Sequence, residues 1–309
     1  MSELRHMPST PSTRPTPAEL RPLRLREFRQ LRQLIYELAG IHLPDSKRSL
    51  VEARLSRRLR DLGMRNYEEY CALVAAPENE AERVLMLDSI TTNETHFFRE
   101  VKHFDFLEQV AFPRWTALAE SGARPRRLRV WSAACSTGEE PYTLAMCMLT
   151  AFPPDSGWHL DVFASDLSTR VLRRAHAATW PIDKAKEIPE RHLKRFMLRG
   201  FGEHEGELRC GPELRKLVRF SRVNLSAPPF EIVGQLDLIF CRNVLIYFDA
   251  ASRAKVIDSL IDRLSPTGYL VVGHSESLHN VTRRVSLVAP GIYTRPELAF
   301  VSRRPSEAT

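Results

Sequence analysis

The chain has no run of about 18 apolar residues, so no membrane-spanning helix is expected. Its first residues, MSELRHMPSTPSTRPTP, contain no apolar segment, so no signal peptide is expected and the protein is assigned to the cytoplasm. There are 5 cysteines in 309 residues, at 71, 135, 147, 210 and 241, and no CxxC pair. That spacing argues against a zinc site, and in a reducing compartment it leaves free thiols; no metal is expected. Charge of one sign does not dominate. Lys and Arg number 45 against 38 Asp and Glu, a net +7. This admits an acidic partner without choosing among nucleic acid, an anionic surface and an acidic protein.

What is present divides the chain. Residues 1–19, rich in Pro, Ser and Thr, read as a disordered tail. Residues 20–90 carry four helical patterns. In the first, Phe28, Leu31, Leu34, Ile35 and Leu38 recur at spacings of 3 and 4, and Gly40 ends the run. The second covers Lys47 to Leu62, with Val51, Leu55, Leu59 and Leu62 inward and Gly63 as its C-terminal cap. On it Arg54, Arg57 and Arg58 share one face, either a solvated face or a docking surface for an acidic partner. The third opens on Asn66 with Glu69 three residues later, a capping-box-like start, and the fourth runs from about Glu78 to Ile90.

From residue 91 to 309 the pattern changes. TTNETHFFRE (91–100) precedes a helix expected over Val101 to about Ala111, and capping by Asn93 or Thr95 would account for that start. LRVWSAACSTGEEPYTLA (128–145) then reads as strand, small-residue turn and helix. Such a turn moulds a nucleotide-like ligand, because its N–H groups lack helical partners and no large side chain blocks approach. It offers Glu139 and Glu140 where a phosphate loop would offer lysine. An acidic turn repels pyrophosphate and suits a cationic, hydroxyl-rich ligand such as S-adenosylmethionine.

A second strand, 158–164, runs into Asp166, 28 residues after Gly138. Asp166 stands either where α/β folds hold ribose hydroxyls or as a cap for the helix starting near Ser168. Glycine-punctuated runs within 194–220 read as antiparallel hairpins inserted into the α/β alternation, about residues 182–217. QLDLIFC (235–241) has the continuous apolar character of a central parallel strand. A helix follows over about 250–264, then a turn at 266–268, a strand at 269–272 and a closing strand pair within 285–294. This alternation predicts a doubly wound sheet with its site along the strand C-terminal edge.

Six stretches in this order and spacing resemble the chemotaxis receptor methyltransferases, the CheR-type protein-glutamate O-methyltransferases: TTNETHFFRE, VWSAACSTGEEPYTLA, FASDLS (163–168), VNL (223–225), FCRNVLIYFD (240–249) and GHSES (273–277). The resemblance covers about residues 20–295. It implies a small all-α N-terminal domain, a Rossmann-like α/β methyltransferase domain with an inserted antiparallel β-subdomain, and S-adenosyl-L-methionine as cofactor, converted to S-adenosyl-L-homocysteine. It implies methylation of glutamates on the cytoplasmic helical bundle of chemoreceptors by a monomer. By position in the motifs, Asn93, Thr95 and Arg99 would line the cofactor site, and Glu139 would meet the cofactor ammonium. Asp166 would hold the ribose diol, Asn224 and Leu225 the adenine side, with Arg242 and Asn243 after the fourth strand. Glu140 reads as a helix-start charge.

Arg99 is assigned to orient the substrate carboxylate. Tyr247 matches a tyrosine near the transferred methyl, or else packs in the core. Arg54, Arg57 and Arg58 would contact the acidic methylation-site helices. The Gly200–Gly211 loop resembles loops of members whose β-subdomain captures a receptor's C-terminal peptide. A nucleic-acid enzyme is disfavoured, since Cys241-Arg242-Asn243-Val244 lacks the Pro-Pro-aromatic motif of base amino-methylating enzymes. A non-catalytic module that binds the cofactor and signals through a partner is the alternative.

Overall fold

The computed structural model describes residues 20–298. The tail expected over residues 1–19 lies outside them. The chain divides into two compact units, one ending at Ile90 and the other comprising Ala39–His42 and the chain from Thr91 onward.

The first unit holds four helices: α1 (Leu25–Ala39), α2 (Arg48–Asp61), α3 (Tyr67–Ala75) and α4 (Glu80–Ile90). Its core is made by Phe28, Leu31, Ile35, Val51, Leu55, Leu59, Tyr70, Val74 and Met86, all buried. Asn66 caps α3 by accepting from the Glu69 N–H at 2.9 Å and donating from Nδ2 to Glu69 Oε1 at 2.6 Å. Gly63, at φ +68°, closes α2 in the left-handed region. Leu62, expected inward, is 39% exposed because it lies just past the last turn of α2.

The second unit opens with one helical run. Helix α5 (Lys102–Phe106) passes through a π-helical turn, Leu107–Ala111, into α6 (Phe112–Glu120). The expected end near Ala111 is therefore too early. Proline 113 would ordinarily stop the helix by clashing with a carbonyl one turn back. The wider turn, in which the Phe112 N–H donates to the Leu107 carbonyl, precedes it directly.

The remaining strands and helices follow in order: β1 (Arg127–Ala133), α7 (Glu139–Ala151), β2 (His159–Asp166), α8 (Thr169–Ala177), β3 (Thr179–Pro181), α9 (Glu190–Phe196), β4 (Met197–Arg199), β5 (Glu207–Cys210), α10 (Pro212–Leu217), β6 (Val218–Arg222), β7 (Leu236–Cys241), α11 (Ala250–Arg263), β8 (Leu264–Val272), β9 (Ser286–Ala289) and β10 (Ile292–Thr294). Seven strands form one sheet in the order β6-β2-β1-β7-β8-β10-β9. The first five are parallel, and β10 and β9 close the edge antiparallel. Strand β8 starts earlier than expected, because a register shift against β7 absorbs the 266–268 segment into the strand.

Strands β3, β5 and β4 form a separate antiparallel sheet between α8 and β6. Trp180 of β3 anchors it, its ring 5.0 Å from Phe97 and 5.6 Å from Tyr142. All five cysteines are buried free thiols. Among the described residues no helix is long and apolar enough to cross a membrane.

Register decides where a site can form. Ala133 is level with Ser165 of β2 and Cys241 of β7, Asp166 with Arg222 of β6, and Cys241 with Val272 of β8. The loops after five parallel strands therefore leave from one edge. Strand order reverses between β2 and β7 about β1, and the crevice of such a sheet opens there.

Candidate active site

At that edge the chain adopts backbone that L-residues rarely take. Phe98, Glu100, Ala134, Ser136 and Asn243 have φ between 51° and 64°. Five such residues in the segment before α5 and in the loops after β1 and β7 place conformational strain where side chains must be aimed. Gly138, at φ +99°, starts α7, and a Cβ there would come within 2.9 Å of Ala175 Cβ.

Asp166 ties two loops together. Its carboxylate accepts from the Ser136 N–H and from the Ser168 N–H, each at 2.9 Å. The helix cap is Ser168, whose hydroxyl accepts from the Val171 N–H. Asp166 is 7% exposed. Glu139 is 2% exposed and lies in the first turn of α7. Its Oε2 accepts from Thr137 Oγ1 at 2.6 Å, and Lys184 Nζ stands 3.5 Å from Oε1. Asn224 turns the chain after β6, its Oδ1 accepting from the Ser226 N–H and hydroxyl. Leu225 is buried and apolar.

The segment 93–100 is pinned from several sides. Ser136 Oγ donates to the Asn93 carbonyl at 2.9 Å, and Lys184 Nζ donates to the Thr95 carbonyl at 3.1 Å. Glu187 accepts from the Phe97 N–H at 2.9 Å. Arg99 is half-buried, and its guanidinium donates to the Glu94 carbonyl at 2.9 Å. Tyr247 sits half-buried in a 3-10 turn, Leu245–Tyr247, whose carbonyl accepts from the His42 N–H at 2.8 Å.

Arg242 differs from its expected role. Its side chain is 1% exposed and turned into the protein. It meets Glu100 at 3.0 Å and Glu140 at 3.2 Å, and it donates to the Arg99 carbonyl at 2.5 Å. The guanidinium lies over the Phe104 and Phe240 rings at 5.8 and 5.5 Å. It therefore ties the Arg99 carbonyl to Glu100 and Glu140. Glu140 is likewise more than a helix-start charge, since it also accepts from Ser132 Oγ at 2.7 Å. Burial raises the Glu140 carboxyl despite Arg242 and Ser132. Burial also acts on Glu100, but the charge and hydrogen bond of Arg242 outweigh it and hold that carboxyl low.

Asn243 is placed by Glu276. One Glu276 oxygen accepts from the Asn243 N–H at 2.6 Å and the Gly273 N–H at 2.8 Å, and the other accepts from the Ile246 N–H at 3.2 Å. GHSES contains this residue, yet nothing local in the motif shows that it fastens the neighbouring loop. Lys184 and Glu187 had no sequence signal either, because only tertiary folding carries them to the 93–99 segment.

The arginines of α2 separate. Arg58 grips Glu82 through two nitrogens, at 3.0 and 2.5 Å, and Glu82 also accepts from Tyr70 at 3.0 Å. Arg54 donates to the Ile90 carbonyl. These two bond within the helical unit and are half-buried, and Arg57 is the exposed member. Elsewhere, Glu100, His103 and His274, and likewise Glu108, Cys147 and His192, bring ligand-type atoms within 4.8 Å of one another. In each group an arginine already binds the carboxylate, Arg242 in the first and Arg191 in the second.

As a donor set the edge offers two buried carboxylates, Glu139 at the start of α7 and Asp166 at the end of β2. That chemistry fits a ligand with an ammonium group and a diol, as S-adenosylmethionine has. Comparison with known proteins agrees. Residues 93–292 match the family described as "CheR methyltransferase, SAM binding domain", and residues 26–91 match "CheR methyltransferase, all-alpha domain". The chain is 41% identical over 267 residues to the chemotaxis protein methyltransferase of Salmonella typhimurium, covering 86% of this chain and 88% of that protein. It is 40% identical over 267 residues to the Escherichia coli protein of the same description, covering 86% and 89%. It is 39% identical over 272 residues to chemotaxis protein methyltransferase 2 of Pseudomonas aeruginosa, covering 87% and 92%.

Proposed function

Because the chain belongs to the CheR methyltransferase family, we propose that it transfers methyl groups from S-adenosylmethionine to glutamate side chains on the cytoplasmic helical bundle of chemoreceptors. The observation that carries this reading is the convergence of Asp166, Glu139 and the pinned 93–100 segment on one sheet edge.

The cofactor supplies a methyl group already activated on a sulfonium. A glutamate, with a reference pKa of about 4.3, is already a carboxylate nucleophile near pH 7, so this protein need not move a proton. With the cofactor bound, attack by the carboxylate oxygen would displace sulfur, which would keep the C–S electron pair, giving a methyl ester and S-adenosylhomocysteine. What the residues contribute is position and exclusion of water, together worth roughly 7–11 kcal/mol in well-oriented reactions. Asp166 holds the diol and Glu139 the ammonium. Asn93, Thr95, Asn224, Leu225 and the Asn243 loop line the remaining wall. Arg99 orients the incoming carboxylate by a single hydrogen bond, since a closed ion pair would damp the nucleophile. Tyr247 is assigned beside the transferred methyl by its place in the motif. Arg242 takes the part of a positioning residue behind Arg99.

Arg57 is the α2 residue left to meet acidic receptor helices. The three-stranded insert supports tethering of a receptor's C-terminal peptide by strand addition, since among the described residues β4 is an edge strand paired with β5. Leu198 of β4 and Phe201 just after it are 51% and 86% exposed.

The direct test is transfer of labelled methyl from S-adenosylmethionine to chemoreceptor-bearing membranes, followed by mild base. Label released as methanol is expected. Base-stable label would overturn the glutamate reading, and absence of label despite cofactor binding would favour a signalling module.

A further inference from the structure

Lys184 lies in the inserted segment Ile182–Glu187. Its ammonium is held by three oxygens from three parts of the chain. They are the Thr95 carbonyl at 3.1 Å, Glu187 Oε1 at 3.1 Å and Glu139 Oε1 at 3.5 Å. This is a complete binding site for one ammonium group, with two carboxylates around a single cation. Without Lys184, Glu139, 2% exposed, would keep the Thr137 hydroxyl but have no cation beside it, which is costly for a buried carboxylate.

We propose that Lys184 is a tethered occupant of the subsite that receives the cofactor's ammonium group, and that it withdraws as the cofactor loads. This rests on the reading that Glu139 is the residue that meets that ammonium. Two cations cannot share the Glu139 oxygen at hydrogen-bonding distance without repelling each other. Lysine suits the role because its charge sits on a flexible four-carbon stem, and the side chain is 25% exposed, so water is within reach. The alternative, in which Lys184 stays and takes the cofactor's carboxylate, meets the field of Glu139 and Glu187, which exceeds the charge of one ammonium. Withdrawal also frees the Thr95 carbonyl, so loading is felt in both the 93–99 segment and the insert.

The test is calorimetric titration of wild type and Lys184→Met with two ligands. S-adenosylhomocysteine carries the ammonium; 5′-methylthioadenosine lacks the whole amino-acid arm. The expected result is S-adenosylhomocysteine bound about three- to fivefold more tightly by the variant, with methylthioadenosine unchanged within about twofold. Lys184→Gln keeps a donor for the Thr95 carbonyl and gives the same ordering, which guards against a packing defect. S-adenosylhomocysteine bound equally or more weakly, with methylthioadenosine unchanged, would overturn the proposal. Parallel shifts for both ligands would overturn it too, in favour of a role in folding alone. Wild type that binds neither ligand would sink the cofactor reading, and this one with it.

Discussion

Replacing Arg242 by Met removes the cation shared by two carboxylates. The side chain is 1% exposed, while those of Glu100 and Glu140 are 15% and 14% exposed. Taking one partner out of a buried pair costs about 3–5 kcal/mol, because the other charge is stranded. The residual exposure of both carboxylates argues for the lower end, about 3 kcal/mol. The Arg99 carbonyl also loses its donor, adding about 1 kcal/mol. All four tryptophans, at 115, 131, 158 and 180, lie in the α/β unit, so urea unfolding followed by their fluorescence reports on it. With a urea slope of about 3 kcal/mol per molar, the midpoint falls by about 1 M at pH 7. The deficit shrinks on acidification. Glu140 already has a raised carboxyl pKa, so its penalty appears as pH rises and fades as it protonates. Adding Glu140→Gln to Arg242→Met restores about a third of the loss or more, since one stranded charge is gone. A midpoint shift below about 0.3 M, or a double variant weaker than the single, would refute this reading of the network.

Four further outcomes follow from the same geometry. Arg99→Ala leaves S-adenosylhomocysteine affinity within about tenfold while largely abolishing turnover, whereas parallel losses would make Arg99 a cofactor residue instead. His103 is 1% exposed, and burial and then the Arg242 charge push its pKa down to about 4. The unfolded chain therefore binds the extra proton between about pH 6.5 and 4, so stability falls with pH in that window; His103→Gln removes up to about 1.4 kcal/mol per pH unit of that slope in urea titrations. On α2, Arg57→Glu slows receptor methylation without changing cofactor affinity. Arg58→Ala instead destabilises the helical unit by about 2–3 kcal/mol, as read by circular dichroism, because Glu82 and Tyr70 lose their cation.

Hydrophobic period and turn residues determined much of this protein unaided. The apolar run at 235–241 has the character of a central parallel strand, and Asn66 with Glu69 makes a capping-box-like helix start; both elements are present in the fold. The acidic turn at Glu139 and Glu140 is a local signal too, and it suits a cationic ligand. These signals are local, carried by residues within a few positions of one another.

Tertiary structure decided what each charge does. Arg58 and Arg57 are neighbours in sequence, yet Glu82, in another helix, claims only one of them. Arg242 carried a ligand-facing motif position, but the register of β7 sets it beside Glu100 and Glu140, and a buried guanidinium must satisfy them. The π-helical turn ahead of Pro113 carried a helix past a residue that would ordinarily end it. Lys184 was silent in the sequence because the insert's fold, not its local pattern, brings its ammonium to Glu139. A side chain's type fixes which partners it can take; only the folded backbone fixes which are within 3 Å.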